Sequence, residues 1–511
     1  MFLYIVFMLN TDRIKVSFEI KYFKIKGRVF WMNNLTMLTD LYQLTMMNGY
    51  YKSGISEDTL VFDVFFRKNP SSGGYTIACG IEQVIDYIES IGFSEEDISY
   101  LRSLNLFGDD FLKYLEGFKF TGEIYAVKEG TIMFPNEPIL RVKAKAIEAQ
   151  LVETTILNII NFQSLIATKA SRVCMSAAGD PVMEFGLRRA QGPDAGLYGS
   201  RAAVIGGCVG TSNVLAGKMF DVPVLGTHAH SWVQKFPTEI EAFRAYAKSY
   251  PEKTMLLVDT YNTLKSGIPN AITVFDELRE EGYEGKGIRI DSGDLEYMSK
   301  EARKMLDDAG YPNVKITASN DLDEYAIANL KSQGAKIDVW GVGTKLITSS
   351  DWPSLGGVYK LAAAEENGEI VPKIKLSEDP QKINNPGYKK LVRIYNKSTG
   401  KAEADLLLLD EEIINEDKPL KIFHPTYTWK TKVFHNYYIK ELLEPLFVDG
   451  NLQRERRSVT QIKTHVEEEK DSFWPQYLRI SSPERYKVDL SEKLWKLKTT
   501  LIEKKKAPAL D

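Results

Sequence analysis

Residues 254–294 read TMLLVDTYNTLKSGIPNAITVFDELREEGYEGKGIRIDSGD, and this stretch decides the fold. A short apolar run, Thr254–Asp259, leads to an amphipathic helix candidate, AITVFDELREEG, and then to a second run, Gly287–Ile290. A strand, a helix of this length and another strand form a βαβ unit whose strands lie parallel. The alternation continues on both sides. Further apolar runs stand at Pro181–Phe185, Val222–Gly226, Val314–Ala318, Ile337–Gly341 and Val358–Ala362, separated by helix candidates such as EIEAFRAYAKSY, EYMSKEARKMLDDAG and DEYAIANLKSQG. Seven such runs in succession predict an α/β protein built on an irregular parallel barrel, since an open sheet usually shows fewer units.

The flanks have a different texture. Residues 32–160 mix helical and strand patterns and read as an N-terminal α/β domain, with a long helical pattern within 139–175. The barrel is expected over 161–384. Residues 385–511 form a C-terminal extension, partly returning to the N-terminal domain. It holds strand-like LVRIYN, ADLLLL and HPTYTWKTKVF, then an amphipathic helix, LSEKLWKLKTTLIEKKK. Residues 1–31 begin with the apolar MFLYIVFML, too short to span a bilayer and lacking the flanks of a signal peptide. Met32 reads as the biological start and 1–31 as an upstream extension, with an extra strand as the alternative.

Composition narrows the function. Of the 511 residues, 44% are hydrophobic and 26% charged, which fits a globular protein and excludes wholesale disorder. With 65 Lys plus Arg against 69 Asp plus Glu, the net charge of -4 gives no footprint for nucleic acid or an anionic membrane. No apolar run is long enough for a membrane span. Cys79, Cys174 and Cys208 are odd in number and lack CxxC spacing, so buried reduced thiols of a cytoplasmic protein are expected.

The informative polar residues follow the apolar runs. They include Arg188 after PVMEF, Thr227, His228 and His230 after VPVLG, and Asp259 after TMLLV. Arg289 lies within GIRI, with Asp291 and Asp294 beyond it. Ser319, Asn320 and Asp321 follow VKITA, and Gly343 and Thr344 follow IDVWG. In a parallel barrel the carboxyl ends of all strands share one face, and that face carries the active site. Gly341, Gly343 and Thr344 form a turn whose backbone N–H groups can approach phosphate, a weak signal alone. Aspartates beside it, Asp294 among them, suit ribose hydroxyls or Mg2+, held mainly by substrate phosphates. A phosphorylated sugar with a metal is the ligand this face suggests. The His228/His230 pair, if on a strand, points both rings to one face. The other three histidines, His424, His435 and His465, all lie beyond the barrel, so a zinc site lacks ligands. A structural or a nucleophilic role stays open for each of the two.

At these residues the chain resembles the nicotinate phosphoribosyltransferase family of the type II phosphoribosyltransferases. The matching motifs are LTDLYQLTM, FFRKNP, EGTIMFPNEPILRV, EFGLRRAQGPDA, GTHAHSWV, RIDSGDL, ASNDLDE and GVGTKLITSSDWPSLGGVYKLA, in collinear order over most of residues 37–362. The resemblance implies conversion of nicotinate and 5-phosphoribosyl 1-pyrophosphate to nicotinate mononucleotide and pyrophosphate, with coupled ATP hydrolysis, as the entry from nicotinate to NAD. It implies a homodimer, Mg2+, ATP as co-substrate and a transiently phosphorylated histidine. His230 matches that histidine. Thr227 and Arg289 match nicotinate contacts. Tyr42 matches an aromatic stacking on the pyridine ring from the partner subunit. Thr344 matches a phosphoribosyl pyrophosphate contact, and Arg188 and Asp291 are further candidates for the anions and the ribose, Asp291 with a catalytic part. Nicotinamide phosphoribosyltransferase shares the Arg-x-Asp-Ser-Gly-Asp pattern, but FGLRRAQGPDA and GTHAHSWV fit the nicotinate enzyme better. Quinolinate phosphoribosyltransferase would need more cations for two carboxylates. A nucleotide-binding barrel without catalysis is the alternative from another class.

Overall fold

The computed structural model describes residues 34–506 apart from 380, 381 and 428. The expected upstream extension, residues 1–31, lies outside the described residues. Among the described residues four sheets are present, and three of them organise the molecule.

The first is a seven-stranded antiparallel sheet. Its order is Glu369–Pro372, Val358–Glu366, Thr59–Phe65, Leu140–Lys145, Glu123–Ala126, Glu444–Val448, Asn451–Leu452. The interior strand Thr59–Phe65 is buried along nearly its whole length, as its run of Leu60, Val61, Phe62, Val64 and Phe65 demands. The Leu140–Lys145 strand leads, through a short helix, into Glu153–Ser176, a 24-residue helix. That helix packs most closely on the helix Pro193–Ile205.

The second sheet is parallel throughout. Its order is Gly210–Thr211, Val182–Glu184, Val339–Val342, Lys315–Ser319, Gly287–Ile290, Met255–Leu257. Val224 adds a parallel bridge to Thr211 at one edge. Helices Glu239–Ser249, Ile268–Glu280, Leu295–Asp308 and Glu324–Ser332 connect the strands. Three of these four start on a side-chain cap: Thr238 with Glu241 in a capping box, Asp294, and Asp323. Val182, Leu256, Ile288, Ile290, Ile316, Ala318, Trp340 and Val342 from this sheet join one buried core with the helices.

Two expectations change here. Val358–Ala362 is not a seventh parallel strand; it begins a nine-residue strand of the antiparallel sheet, paired with Thr59–Phe65. It turns into Glu369–Pro372 through Asn367 and Gly368, both at positive φ, the backbone of a tight hairpin. In its place Gly210–Thr211 enters the parallel sheet. The ladder is also open: among the described residues, no backbone pairing joins Val224 to Met255–Leu257.

The third sheet, six strands from residues 389–490, is antiparallel except where Ala402–Leu409 runs parallel to Val488–Leu490. HPTYTWKTKVF contributes only Thr431–Phe434 as strand. Glu444–Val448, from the same C-terminal region, pairs with Glu123–Ala126 in the first sheet. Glu492–Lys506 is the closing helix.

Candidate active site

The parallel register brings the strand ends level. Leu257 pairs with Arg289 and Arg289 with Thr317. Ser319 pairs with Gly341, and Gly341 with Met183. Within a few residues of these points each chain segment leaves the sheet, and the polar residues gather there.

Asp259 is the hub. Its Oδ2 accepts from the Asp291 backbone N–H at 2.8 Å and from the Ser292 hydroxyl at 2.7 Å. Its Oδ1 is buried and has no hydrogen-bond partner among the described residues. Asp291 in turn accepts from the Ser319 hydroxyl at 2.5 Å. Residues 289 and 291 lie two apart on an extended segment, so both side chains project to one face. The Arg289 guanidinium donates to Thr227 Oγ1 at 2.5 Å and stands 3.9 Å from Asp291 Oδ2. Its Nε is buried without an acceptor among the described residues. Burial pulls its pKa down, opposed by Asp291 and Asp259. The same group feels the positive charge of Arg188, which is exposed on the turn after Val182–Glu184.

His230 opens the helix His230–Lys235. Its Nδ1 lies 3.1 Å from the Thr260 hydroxyl. Its Nε2 lies 3.8 Å from Asp291 and 4.0 Å from Asp259. The ring is 39% exposed, so it is at once held by three groups and open to a reactant.

His228 behaves differently. The two histidines are not on a strand, and their rings do not share a face. His228 is buried, its ring 4.7 Å from that of Tyr246. Its Nε2 accepts the Leu257 backbone N–H at 3.2 Å, so the proton sits on Nδ1, facing the Ala229 carbonyl at 3.4 Å. Burial, with Arg289 and His230 adding to it, lowers its pKa to about 4. A neutral imidazole thus takes the Leu257 N–H at the free edge of Met255–Leu257. His228 is a structural residue at the seam.

Gly341, the penultimate residue of the Val339–Val342 strand, sits beside the Phe185 ring; a Cβ there would lie 2.8 Å from that ring, which favours glycine. Gly343 and exposed Thr344 follow. Lys345 is drawn aside to Asp323 at 2.9 Å. Asn320 and Asp321 both adopt positive φ at the neighbouring strand end, backbone strain of the kind that collects at functional sites. Asp294 serves as a helix cap: its Oδ1 accepts from the Glu296 and Tyr297 backbone N–H groups at 3.1 and 3.2 Å.

Tyr42 is not brought to this cluster within the chain. It stands 47% exposed on the helix Leu41–Lys52 and lines a separate hollow of about 540 Å3 with Tyr50, Glu153 and Lys360. Four contributors had no role assigned from the sequence: Asp259, Thr260, Ser319 and Glu184. The first three stand at the same strand ends, which was the signal available. Glu184 is fully buried, accepting from Ser200, Thr211 and the Gly186 N–H, and so fixes the turn that carries Arg188.

Among the described residues, no group of three or more His, Cys, Asp or Glu side chains is gathered as a metal cage. The orphan Oδ1 of Asp259 and the Oδ2 of Asp291 are hard oxygen donors, which suits a cation that keeps most of its ligands from phosphate and water.

A parallel α/β unit with a cationic, hydroxyl-bearing and histidine-bearing face at its strand ends defines an enzyme of anionic substrates. Comparison with known proteins is specific. Residues 37–161 match the model of the nicotinate phosphoribosyltransferase N-terminal domain, 181–398 that of the nicotinate phosphoribosyltransferase family, and 388–498 that of the C-terminal domain. The chain is 48% identical over 475 residues to the nicotinate phosphoribosyltransferase of Bacillus subtilis (strain 168), covering 93% of this chain and 96% of that protein. It is 33% identical over 523 residues to the Homo sapiens enzyme of the same name, covering 91% and 96%. The crystal structure of human nicotinic acid phosphoribosyltransferase superposes with a TM-score of 0.81 at 30% identity, covering 91% of this chain and 99% of that one. A nicotinate-nucleotide pyrophosphorylase structure from Pyrococcus furiosus, at 22% identity and TM-score 0.65, over 87% and 98%, shares the fold. The chain belongs to the nicotinate phosphoribosyltransferase family.

Proposed function

We propose that this enzyme joins nicotinate to 5-phosphoribosyl 1-pyrophosphate, releasing pyrophosphate and forming nicotinate mononucleotide, with ATP hydrolysis coupled through His230. The observation that carries the reading is Arg289: buried, fixed by Thr227, with an unpartnered Nε, it is a cation prepared for a carboxylate. Nicotinamide has no carboxylate to pair with it.

The pyridine nitrogen is already a nucleophile, so the chain's task is alignment. Thr227 and Arg289 fix the ring by its carboxylate, and Tyr42 of a partner subunit supplies a stacking face in a homodimer. As the C1–O bond breaks, negative charge grows on pyrophosphate. Arg188 and the N–H groups of the turn Gly341–Thr344 stabilise it. Asp291 and Asp259 face the ribose, and Asp294 keeps one free oxygen beside it. Mg2+, held by the phosphates with Asp259 or Asp291, would neutralise charge on the leaving group. In the ATP half-reaction a ring nitrogen of His230 attacks the γ-phosphorus, the bond to ADP breaks, and the phosphoryl group later passes to water. Thr260, Asp259 and Asp291 orient the ring for that step. An irregular barrel is the architecture this reading expects, with His228 occupying the free edge of Met255–Leu257. The setting is the cytoplasm.

The test is product formation from phosphoribosyl pyrophosphate with nicotinate or nicotinamide, each with and without ATP. Turnover of nicotinate, enhanced by ATP, is the expected result. Preference for nicotinamide would overturn the assignment of Arg289.

A further inference from the structure

A buried ion cluster lies beneath two of the strand-end loops. Lys169, on the helix Glu153–Ser176, is 3% exposed, yet its ammonium meets a carboxylate on two sides. Its Nζ stands 2.8 Å from Glu324 Oε2 and donates to Asp351 Oδ1 at 2.6 Å. The Glu324 side chain is fully buried, and its Oε1 accepts from Arg172 Nε at 2.8 Å. Glu324 opens the helix Glu324–Ser332, which follows the loop of Asn320 and Asp321. Asp351 closes the segment that begins at Gly343 and Thr344. A single ammonium thus ties the foot of one loop to the foot of the other. Lys345 adds a second tie, donating to Asp323 at 2.9 Å.

Stability alone is a weak reason for this arrangement. Burying a cation is costly, and a well-packed apolar side chain of similar volume often serves as well. A buried ion pair does supply position, because its directional contacts hold two segments in one register. Both loops need such holding. Asn320, Asp321 and Ser349 take positive φ without being glycine, a backbone that lasts only where its surroundings over-determine it. On the same loops Asn320, Asp321 and Thr344 are exposed. Burial would raise the Asp351 carboxyl, yet Lys169 and Ser71 hold it below the usual carboxylate range, so the contact is ionic at neutral pH.

We propose that Lys169 is a positioning residue for the phosphate groups of the substrate: itself buried, it fixes the spacing between the turn Gly341–Thr344 and the loop of Asn320 and Asp321. This rests on the phosphate assignment made for that turn. The direction of the effect follows from charge. Two carboxylates, at 2.8 and 2.6 Å, share the one nitrogen, so without it they repel across the gap and the loops spread. Arg289 and Thr227 stand at other strand ends and take no part in these contacts.

The full-length enzyme is compared with Lys169→Met, Asp351→Asn and the double variant. Two quantities are read: the Kd for inorganic pyrophosphate with Mg2+ by calorimetry, and the KM for each substrate in the transfer assay. Lys169→Met should weaken pyrophosphate binding and raise the KM for phosphoribosyl pyrophosphate by about tenfold or more, since small misplacements of binding groups are costly. The KM for nicotinate should stay within about twofold, which a general loss of structure would not allow. Asp351→Asn keeps a hydrogen bond and should give a smaller rise in the same direction. Its side chain reaches the surface, so this variant carries the test if the buried one fails to fold. The double variant should be no worse than Lys169→Met, because the repelling charge is gone. Unchanged pyrophosphate binding in both single variants overturns the proposal. So do equal rises in KM for both substrates, or additive losses in the double variant. A wild-type chain that binds pyrophosphate without consuming nicotinate would sink the transfer reaction alone; the Kd values then decide for or against Lys169.

Discussion

Arg289, Thr227 and His230 divide the work of the site, and each makes a separable prediction. Arg289→Ala removes the cation and leaves Thr227 and Asp291 facing an empty cleft. Loss of a buried charged pairing costs about 2–5 kcal/mol, so kcat/KM for nicotinate should fall by about 30- to 5,000-fold. Steady-state kinetics checks this, and the defect should lie mostly in the KM for nicotinate. His230→Ala should abolish labelling of the protein from γ-labelled ATP and remove the ATP enhancement, while slow ATP-independent transfer persists. Retained labelling would move the phosphoryl acceptor elsewhere. His228 should do neither. Replacing it by alanine orphans the Leu257 N–H and opens a cavity, which costs about 1–3 kcal/mol for the lost bond alone. Urea denaturation should show that loss with ATP coupling intact. With a folded pKa of about 4 against an ordinary value near 6.5, the unfolded chain takes up the proton first. His228 therefore contributes stability above about pH 6.5 that is lost as pH falls toward about 4. The difference between the histidines was not legible in HAH, because it depends on which backbone N–H meets which ring.

At the scale of elements, the βα repeats were legible wherever a helix of nine or more residues followed an apolar run. The four connecting helices at Glu239–Ser249, Ile268–Glu280, Leu295–Asp308 and Glu324–Ser332 stand where periodicity put them. Gly210–Thr211 was not legible: two residues have no period. Val358–Ala362 was apolar enough to pass as a buried parallel strand. The Asn367–Gly368 pair beyond it carried the contrary signal, since that dipeptide favours an antiparallel hairpin. Another element-scale device is Glu129, which accepts the Gly80 and Glu82 N–H groups at the start of the helix Ile81–Ser90. It also pairs with Arg201 on the helix Pro193–Ile205 at 2.6 Å. Burial raises its pKa, but Arg201 and the backbone donors outweigh burial and bring it to about 2. Its stabilising effect is therefore full above about pH 4.5 and is lost as pH falls toward about 2. Urea midpoints measured between pH 6 and pH 3 should decline more steeply for the wild type than for Glu129→Gln, which is itself destabilised by leaving Arg201 unpaired.

For the whole molecule, the decisive question is where Tyr42 acts. It lines a hollow apart from the Arg289 cluster, beside Glu153 and Lys360, and in the proposed homodimer its ring serves the neighbouring site. Mixing Tyr42→Ala chains with His230→Ala chains, each deficient in ATP-enhanced transfer, and reading the ATP-enhanced activity tests this. Random re-pairing gives hybrid dimers with one intact site of two, so activity should return to about a quarter of wild type. No recovery would place Tyr42 in its own chain's site.

The seven-stranded antiparallel sheet has a temporal meaning as well. Its members come from residues 59 to 452, while the parallel sheet draws only on residues 182–342. During synthesis the parallel unit has all its strands when the last of them, Val339–Val342, clears the ribosome. The first sheet still waits for Glu444–Val448 to pair with Glu123–Ala126. A nascent chain arrested near residue 400 would hold a finished catalytic face on an unfinished scaffold, with the edge of Glu123–Ala126 bare and ready to pair with a stranger. Late strands of this kind make the interval before Glu444–Val448 is made the one in which the protein most needs a chaperone.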